Sequence, residues 1–236
     1  MLFARLVTAV RGDWRGVEPK PRQRVYFANH VSHADFVLIW TTLPGRLRYQ
    51  TRPVAGADYW LKSRLRRFIG EDVFRSVLIE RKSMAVQSTD KPSDEQHTEQ
   101  SSEQHTEQSI EQNNGQPAGN EQPVSAVSIM SDALSNGESL ILFPEGTRNT
   151  TDKKLLPLKS GLYHLAKANP SVELVPVWIS NLHRVLPKGE FIPVPLACTV
   201  TYGEAITLND GDTKTDFNER AKQALLHTSF AEVASS

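Results

Sequence analysis

The amino-acid sequence predicts an α/β fold in which a single mixed sheet is covered by helices. Short runs rich in β-branched and aromatic residues, such as Arg24–Ala28, alternate with longer segments whose apolar residues recur at helical spacing. This alternation is typical of a sheet packed between helices. The 236 residues suit one domain, and a polar stretch at residues 84–124 is interpreted as an insertion that interrupts it.

The first half of the chain is expected to form three strands and two helices. Ser32 can cap the first helix, because Asp35 stands three positions later in the place of a capping box and Phe36–Trp40 supplies an apolar body. In the second helix, apolar residues at helical spacing lie beside several Lys and Arg residues. The expected strands are 24–28, 52–55 and 77–79, and the second helix is 58–75.

The second half is expected to add three strands and three helices. A helix at 124–134 is followed by Asn136-Gly137, a pair typical of a helix C-terminus. The run at 139–143 is almost continuously apolar, as expected for a buried strand, and leads into Pro144-Glu145-Gly146. The remaining strands are expected at 174–179 and 197–202, and the remaining helices at 161–167 and 216–227.

The insertion at residues 84–124 has an unusual composition. The heptapeptide EQHTEQS begins at Glu95 and again eight residues later at Glu103, and the segment has almost no apolar and no aromatic residues. Such a segment cannot bury enough surface to offset the entropy lost on ordering, so we predict a disordered polar insertion. His97 and His105 are copies within the repeat, and we expect no metal site there.

The net charge of zero conceals a segregation of charge along the chain. Residues 1–89 contain 16 Lys and Arg against 7 Asp and Glu, whereas residues 90–123 contain one base and eight acids. The basic front suits anionic lipid head groups, nucleotide phosphates or nucleic acid. We expect no spanning helix, since no apolar run approaches about 18 residues, and no signal peptide at Met1–Val10. The single cysteine, Cys198, suits a reducing compartment, so a cytoplasmic location is expected.

The first candidate constellation is the segment NHVSHAD, residues 29–35. A carboxylate at Asp35 can hold the His30 ring through one nitrogen and leave the other free to take a proton from a hydroxyl. Alternatively, His30, His33 and Asp35 can be three ligands of a metal ion, although no established metal-binding spacing supports that interpretation. We therefore expect no metal.

The second candidate constellation is FPEGTR, residues 143–148, which follows the strand expected at 139–143. Gly146 lets backbone N–H groups approach a ligand, Thr147 offers a hydroxyl, and Arg148 offers a planar guanidinium for phosphate oxygens. An ordinary turn with a surface arginine would have the same residues, so this pattern alone leaves both interpretations open.

Taken together and in this order, the two constellations resemble the signature of the glycerolipid acyltransferases, in particular the lysophosphatidic acid acyltransferases. Two weaker blocks of that family are also present, VLIER at Val77–Arg81 and LVPV at Leu174–Val177. The resemblance covers roughly residues 22–205. The chain departs from the pattern in two respects. Glu80 stands where the middle block commonly has Asp, and the insertion falls just after Arg81.

The resemblance implies direct transfer of a fatty acyl group from acyl-CoA or acyl-carrier protein to the free hydroxyl of a lysolipid, with no cofactor. His30 would be the general base and Asp35 would orient it. The acceptor phosphate would be bound by residues of the second and middle blocks: Arg81, Glu145, Gly146, Thr147 and Arg148. The acceptor would be 1-acylglycerol-3-phosphate, with glycerol-3-phosphate, another lysophospholipid or a lyso-amino lipid as alternatives.

Such substrates are amphiphiles, so we expect peripheral or monotopic attachment to an anionic membrane surface on its cytoplasmic face. Tyr59, Trp60 and Phe68 alternate with basic residues and form a basic amphipathic stretch, and residues 1–16 are a second expected contact, as an apolar helical face. Two rival functions remain open, a metal-dependent hydrolase and a non-catalytic binder of anionic lipid or nucleic acid. No nucleic-acid-binding module is recognisable, and no nucleic-acid partner is expected.

Overall fold

The computed structural model describes residues 10–32, 34–57, 64, 68, 70, 74–79, 125–180 and 198–230. Within these ranges seven strands form one sheet. The strands are β1 (Arg11–Trp14), β2 (Arg24–Ala28), β3 (Thr51–Gly56), β4 (Val77–Ile79), β5 (Ser139–Leu142), β6 (Glu173–Ser180) and β7 (Thr199–Tyr202). Their order across the sheet is β1-β7-β6-β2-β5-β3-β4.

The sheet is mixed, as predicted. The β6–β7 pair is antiparallel, and all other neighbouring strands are parallel. The central strand β2 is buried along its whole length and pairs with β5 on one side and β6 on the other. Parallel strands buried on both faces are expected to be apolar throughout, and this is why the runs at 24–28 and 139–143 could be identified as strands.

Five helices of the described ranges cover the two faces of the sheet. They are α1 (Asp35–Thr42), α2 (Gly45–Gln50), α3 (Ala126–Ser135), α4 (Gly161–Ala168) and α5 (Lys214–Phe230). Alternate residues of β2 point to opposite faces, so Val25 and Phe27 pack with α3, α4 and α5, whereas Tyr26 packs with α1 and α2. The result is a helix–sheet–helix arrangement with β2 at its centre.

Two elements differ from expectation. The segment Arg11–Trp14 is strand β1 where part of an apolar helix was expected; it pairs with β7, and the Trp14 ring stacks on Tyr202 with centroids 3.8 Å apart. Residues 1–9 lie outside the described residues. The short helix α2, Gly45–Gln50, was not predicted because six residues give little periodicity.

Other predictions fall on parts of the chain that the structure does not describe. These are most of the helix at 58–75, the insertion at 84–124, and the side chains of His33 and Arg81. In the described ranges, no helix combines the length and apolarity that crossing a membrane requires.

The basic front of the chain is partly neutralised by acids from later in the sequence. Glu173 accepts hydrogen bonds from Arg22 and from the buried Arg24, each at 2.8 Å. Glu138 likewise pairs with Arg52 at 2.6 Å and with Arg75 at 3.1 Å. Because these arginines are paired with glutamates, the excess of positive charge counted along the sequence overstates the positive potential available to an anionic partner.

Candidate active site

The two candidate constellations meet because they follow neighbouring parallel strands. Val25 pairs with Leu140 and Phe27 with Leu142, so the carboxyl ends of β2 and β5 lie side by side. Asn29, the first residue after β2, is buried and ties this end to β6: its side-chain amide donates to the carbonyl of Ile179 at 3.2 Å and accepts from the N–H of Ile179 at 2.8 Å. The turn that carries His30 is therefore anchored to the sheet on both sides.

The His30 and Asp35 side chains are directly hydrogen bonded, with Nδ1 of His30 2.8 Å from Oδ2 of Asp35. The same carboxylate oxygen accepts the backbone N–H groups of Val31 at 2.7 Å and Ser32 at 2.9 Å. Asp35 is fully buried at the first position of α1, where the helix dipole favours a negative charge. The two backbone donors thus fix the position of the oxygen that holds the His30 ring.

The start of α1 differs in detail from the predicted capping box. The helix begins at Asp35, and the side chain at the N-cap position, Ala34, makes no capping hydrogen bond. The Ser32 hydroxyl accepts the N–H of Ala34 at 3.2 Å, whereas the Asp35 carboxylate reaches back to the Ser32 N–H, as a capping box requires.

These contacts determine which ring nitrogen of His30 carries the proton. An ionised carboxylate can only accept hydrogen bonds, so Nδ1 must donate to Asp35, and Nε2 has a free lone pair in the neutral ring. The ring stacks on Phe143 with centroids 4.3 Å apart, and the side chain keeps 19% of its exposure. His30 is therefore oriented, partly exposed and able to accept a proton at Nε2.

Glu145 lies almost completely buried beneath this turn, with 1% of its surface exposed. Its Oε1 accepts the backbone N–H of His30 at 2.7 Å, and its Oε2 accepts the N–H of Leu156 at 2.8 Å. Burial raises the pKa of Glu145, the two N–H groups and the nearby His30 oppose that rise, and the charge of Asp35 adds to it.

The next three residues of the second constellation turn outward. Gly146, Thr147 and Arg148 are all exposed, and Gly146 has a φ of 69°, in the left-handed region that favours glycine. A Cβ at Gly146 would stand 3.2 Å from Cγ of Lys159, so that side chain runs along the loop. An exposed guanidinium, a hydroxyl and a glycine without a side chain can together bind a phosphate group.

The structure therefore brings together His30, Asp35 and Glu145 in contact, and places Gly146 to Arg148 on the loop that continues from Glu145; Arg81 lies outside the described residues. Sequence reasoning missed Asn149, which is buried and whose N–H donates to the carbonyl of His30 at 2.6 Å. Its position directly after FPEGTR is the one signal that could have indicated it.

The chemistry of the site also depends on whether a nucleophilic cysteine or a cluster of metal ligands is present. Burial and the charge of Asp35 raise the pKa of the Cys198 thiol, which keeps this buried cysteine neutral and unsuited to act as a nucleophile. In the parts of the chain that the structure describes, no three His, Cys, Asp or Glu side chains are grouped to hold a metal ion, and His33 lies outside them.

The sequence profile of the family described as Acyltransferase matches residues 13–180, which include both constellations. The chain belongs to this acyltransferase family. The chain also resembles a solved structure, that of the 1-acyl-sn-glycerophosphate (LPA) acyltransferase PlsC from Thermotoga maritima. The TM-score is 0.59 and the identity 17%, over 95% of this chain and 73% of that chain. At this identity the likeness establishes the α/β fold.

Curated relatives add a more specific resemblance. The chain is 37% identical over 92 residues to a 1-acyl-sn-glycerol-3-phosphate acyltransferase of Limnanthes douglasii. The matched segment covers 37% of this chain and 32% of that protein. It is also 31% identical over 101 residues to a protein of the same name from Cocos nucifera, and this matched segment covers 41% of this chain and 32% of that protein. The matched segments thus span about a third of the length of these relatives.

Proposed function

We propose that this acyltransferase moves a fatty acyl group from a thioester donor to the free hydroxyl of 1-acylglycerol-3-phosphate, which gives phosphatidic acid. The observation that carries the proposal is the juxtaposition of an oriented base, His30, with a loop whose exposed end carries Arg148. A hydroxyl nucleophile needs a base such as His30 to take its proton, and a phosphate monoester needs a cation such as Arg148 to bind it. The names of the similar proteins from Limnanthes and Cocos favour the same acceptor.

The reaction follows from the geometry of His30. Nε2 of His30 takes the proton of the acceptor hydroxyl while the hydroxyl oxygen attacks the carbonyl carbon of the thioester, and a tetrahedral intermediate forms. When the carbon–sulfur bond breaks, His30 returns the proton to the departing thiolate, so the products are an ester and a free thiol. The imidazolium formed in between is stabilised by Asp35, whose carboxylate is held in place by the backbone N–H groups of Val31 and Ser32.

The exposed end of the FPEGTR loop is assigned to the acceptor phosphate. Arg148 supplies the charge and a bidentate hydrogen-bonding surface, and Gly146 and Thr147 supply close approach and a hydroxyl. Arg81 is proposed to add a second cation to the same group. Loss of one of these cations should raise the acceptor KM more than it lowers kcat, because the phosphate is bound in the ground state and in the transition state alike.

The decisive experiment is acyl transfer from long-chain acyl-CoA to 1-acylglycerol-3-phosphate, followed by thiol release and by lipid product. We expect His30→Ala to lower kcat by about 10² or more, the scale of a general base. His227→Ala is a matched control, since His227 lies exposed on α5 and should leave the rate unchanged. Activity that does not depend on His30 would refute the mechanism.

The acceptor and the donor are tested with the same assay. We expect 1-acylglycerol-3-phosphate to be preferred over lysophospholipids whose phosphate carries a second substituent, and Arg148→Met to remove that preference. Glycerol-3-phosphate and a lyso-amino lipid are the competing acceptors, and a higher kcat/KM on either would replace the proposed one. Acyl-carrier protein is compared with CoA as the carrier. Metal-dependent hydrolysis without transfer would favour the rival hydrolase.

Peripheral attachment to the cytoplasmic face of an anionic membrane is proposed for the same protein. Among the described residues, the large hydrophobic side chains that are most exposed are Tyr49 at 81% and Phe68 at 55%, each with an exposed arginine nearby in sequence, Arg46 and Arg64. Exposed aromatic rings beside bases suit the interface of an anionic bilayer. Tyr49→Ser should weaken co-sedimentation with vesicles that contain anionic lipid. If the wild-type protein bound neutral vesicles as strongly as anionic ones, the proposed attraction of its arginines to anionic lipid would be contradicted.

A further inference from the structure

Both backbone hydrogen-bonding groups of His30 are bonded to the loop at residues 143–149. The N–H of His30 donates to Oε1 of Glu145 at 2.7 Å, and the carbonyl of His30 accepts the N–H of Asn149 at 2.6 Å. The base is thus attached to FPEGTRN by its main chain and to Asp35 by its side chain. Any displacement of the loop at Glu145 is transmitted to the base.

The carboxylate of Glu145 is buried and hydrogen bonded within the protein. One oxygen is occupied by His30 and the other by the N–H of Leu156 at 2.8 Å, and the residue is 1% exposed. An ionised carboxylate would also repel a phosphate group rather than bind it. The Coulomb sign and the burial both argue against direct contact between Glu145 and the acceptor.

The chemistry of the site explains why a glutamate stands here. Two backbone N–H groups, from residues 126 positions apart in sequence, converge on one buried carboxyl group, and each donates to a different oxygen of it. A glutamine has one acceptor oxygen and an NH2 group, which would face an N–H donor. Burying a carboxylate costs folding free energy, and the hydrogen bonds from the two N–H groups offset part of that cost.

We propose that Glu145 is a positioning residue that sets the main chain of His30 and joins it to the segment at Leu156, and that it is not a ligand of the acceptor phosphate. The proposal rests on the proposed function, in which His30 is the base. It divides the second constellation into a buried end, Glu145, that acts on the base and an exposed end, Arg148, that acts on the phosphate.

The kinetic test compares Glu145→Gln with two other variants in the acyl-transfer assay. A shift of the base by a fraction of an ångström should lower kcat by about 10- to 100-fold and change the acceptor KM by less than about threefold. Arg148→Met should show the opposite division, and Glu204→Gln, at an exposed carboxylate, should change neither. An increase in acceptor KM with unchanged kcat in Glu145→Gln would overturn the proposal.

Amide hydrogen exchange supplies a readout that does not depend on any substrate. In the wild-type protein the amides of His30 and Leu156 should both be protected, and in Glu145→Gln at least one should exchange about tenfold faster or more, since one acceptor is lost. Exchange of either wild-type amide at the rate of an exposed loop would overturn the proposal even if the variant did not fold. A wild-type protein that acylates no phosphate acceptor would instead refute the proposed function, while the exchange result would still decide what Glu145 does.

Discussion

The substitution Asp35→Asn is the most informative perturbation of the candidate site, because the structure dictates how the new side chain must sit. Oδ2 of Asp35 accepts the N–H groups of Val31 and Ser32 as well as Nδ1–H of His30. An NH2 group in that place would face three donors, so the amide oxygen of asparagine must occupy it. The His30 ring should therefore keep its tautomer and its orientation.

The expected loss follows from what remains and what is removed. The hydrogen bond to Nδ1 survives, but its acceptor is neutral, and charge-assisted hydrogen bonds are roughly twice as strong as neutral ones. The difference between a charged and a neutral acceptor, about 1–2 kcal/mol, is felt most when the ring becomes an imidazolium. We expect kcat to fall by about 5- to 30-fold. Where a carboxylate-to-amide change imposes the wrong tautomer, by contrast, the loss is about 10⁴-fold.

The assay is steady-state acyl transfer with both substrates varied, for wild type, Asp35→Asn and His30→Ala, with unfolding in urea as the check on folding. A loss near 10⁴-fold in a stably folded Asp35→Asn protein would refute the argument that the backbone donors fix the amide orientation. A rate equal to that of wild type would refute the role of Asp35 in stabilising the charged ring.

Two further changes test the loop and the sheet. Gly146→Ala should destabilise the protein by about 1–2 kcal/mol in urea unfolding and raise the acceptor KM. The reason is that φ is 69° and the new Cβ would stand 3.2 Å from Cγ of Lys159; an unchanged unfolding midpoint would contradict it. Glu173→Gln should cost about 2 kcal/mol at neutral pH because it leaves the buried Arg24 without its charged partner. Burial alone would raise the pKa of Glu173, but hydrogen bonds from Arg24 and Arg22 outweigh burial and lower that pKa. The ion pair with Arg24 therefore stabilises the folded protein fully above the pKa of an unfolded glutamate, about 4.3, and this stabilisation is lost as the pH falls through the pKa of Glu173 in the folded protein. The stability difference between Glu173→Gln and wild type should therefore vanish in strong acid, and a constant difference would contradict the assignment.

The core of the fold was predictable because its strands are buried on both faces. The runs at 24–28, 139–143 and 174–179 are apolar almost throughout, and burial on two faces leaves little room for any other pattern. The edge strand Arg11–Trp14 lacks that signal. Only one of its four residues is apolar, and it becomes a strand because β7 offers a pairing edge and Tyr202 offers a ring on which Trp14 stacks. Such tertiary pairing cannot be inferred from local sequence.

The candidate site was predictable to the level of side-chain chemistry and no further. The contact between His30 and Asp35 follows from their spacing at the start of a helix, and the structure has it at 2.8 Å. The bond between the His30 N–H and Glu145 joins residues 115 positions apart, and it exists because β2 and β5 are neighbours in register. Sequence spacing contains no information on which strands are neighbours.

The conformation of Gly146 explains how one short motif can have the two roles proposed for it, at the base and at the acceptor phosphate. Glu145 points into the protein, where it accepts the N–H of His30, whereas Arg148 is exposed to solvent, as its proposed role at the acceptor phosphate requires. Only two residues separate them, and a chain that continued in the β region would carry the loop away from the turn at His30. The N–H of Gly146 donates to the carbonyl of Phe143 at 3.0 Å and closes a turn whose central residues are Pro144 and Glu145, and the left-handed φ of Gly146 changes the direction of the chain directly after that turn. The glycine is thus required by the change from a buried to an exposed role as much as by close approach of a ligand, and a side chain there should impair both ends of the motif together.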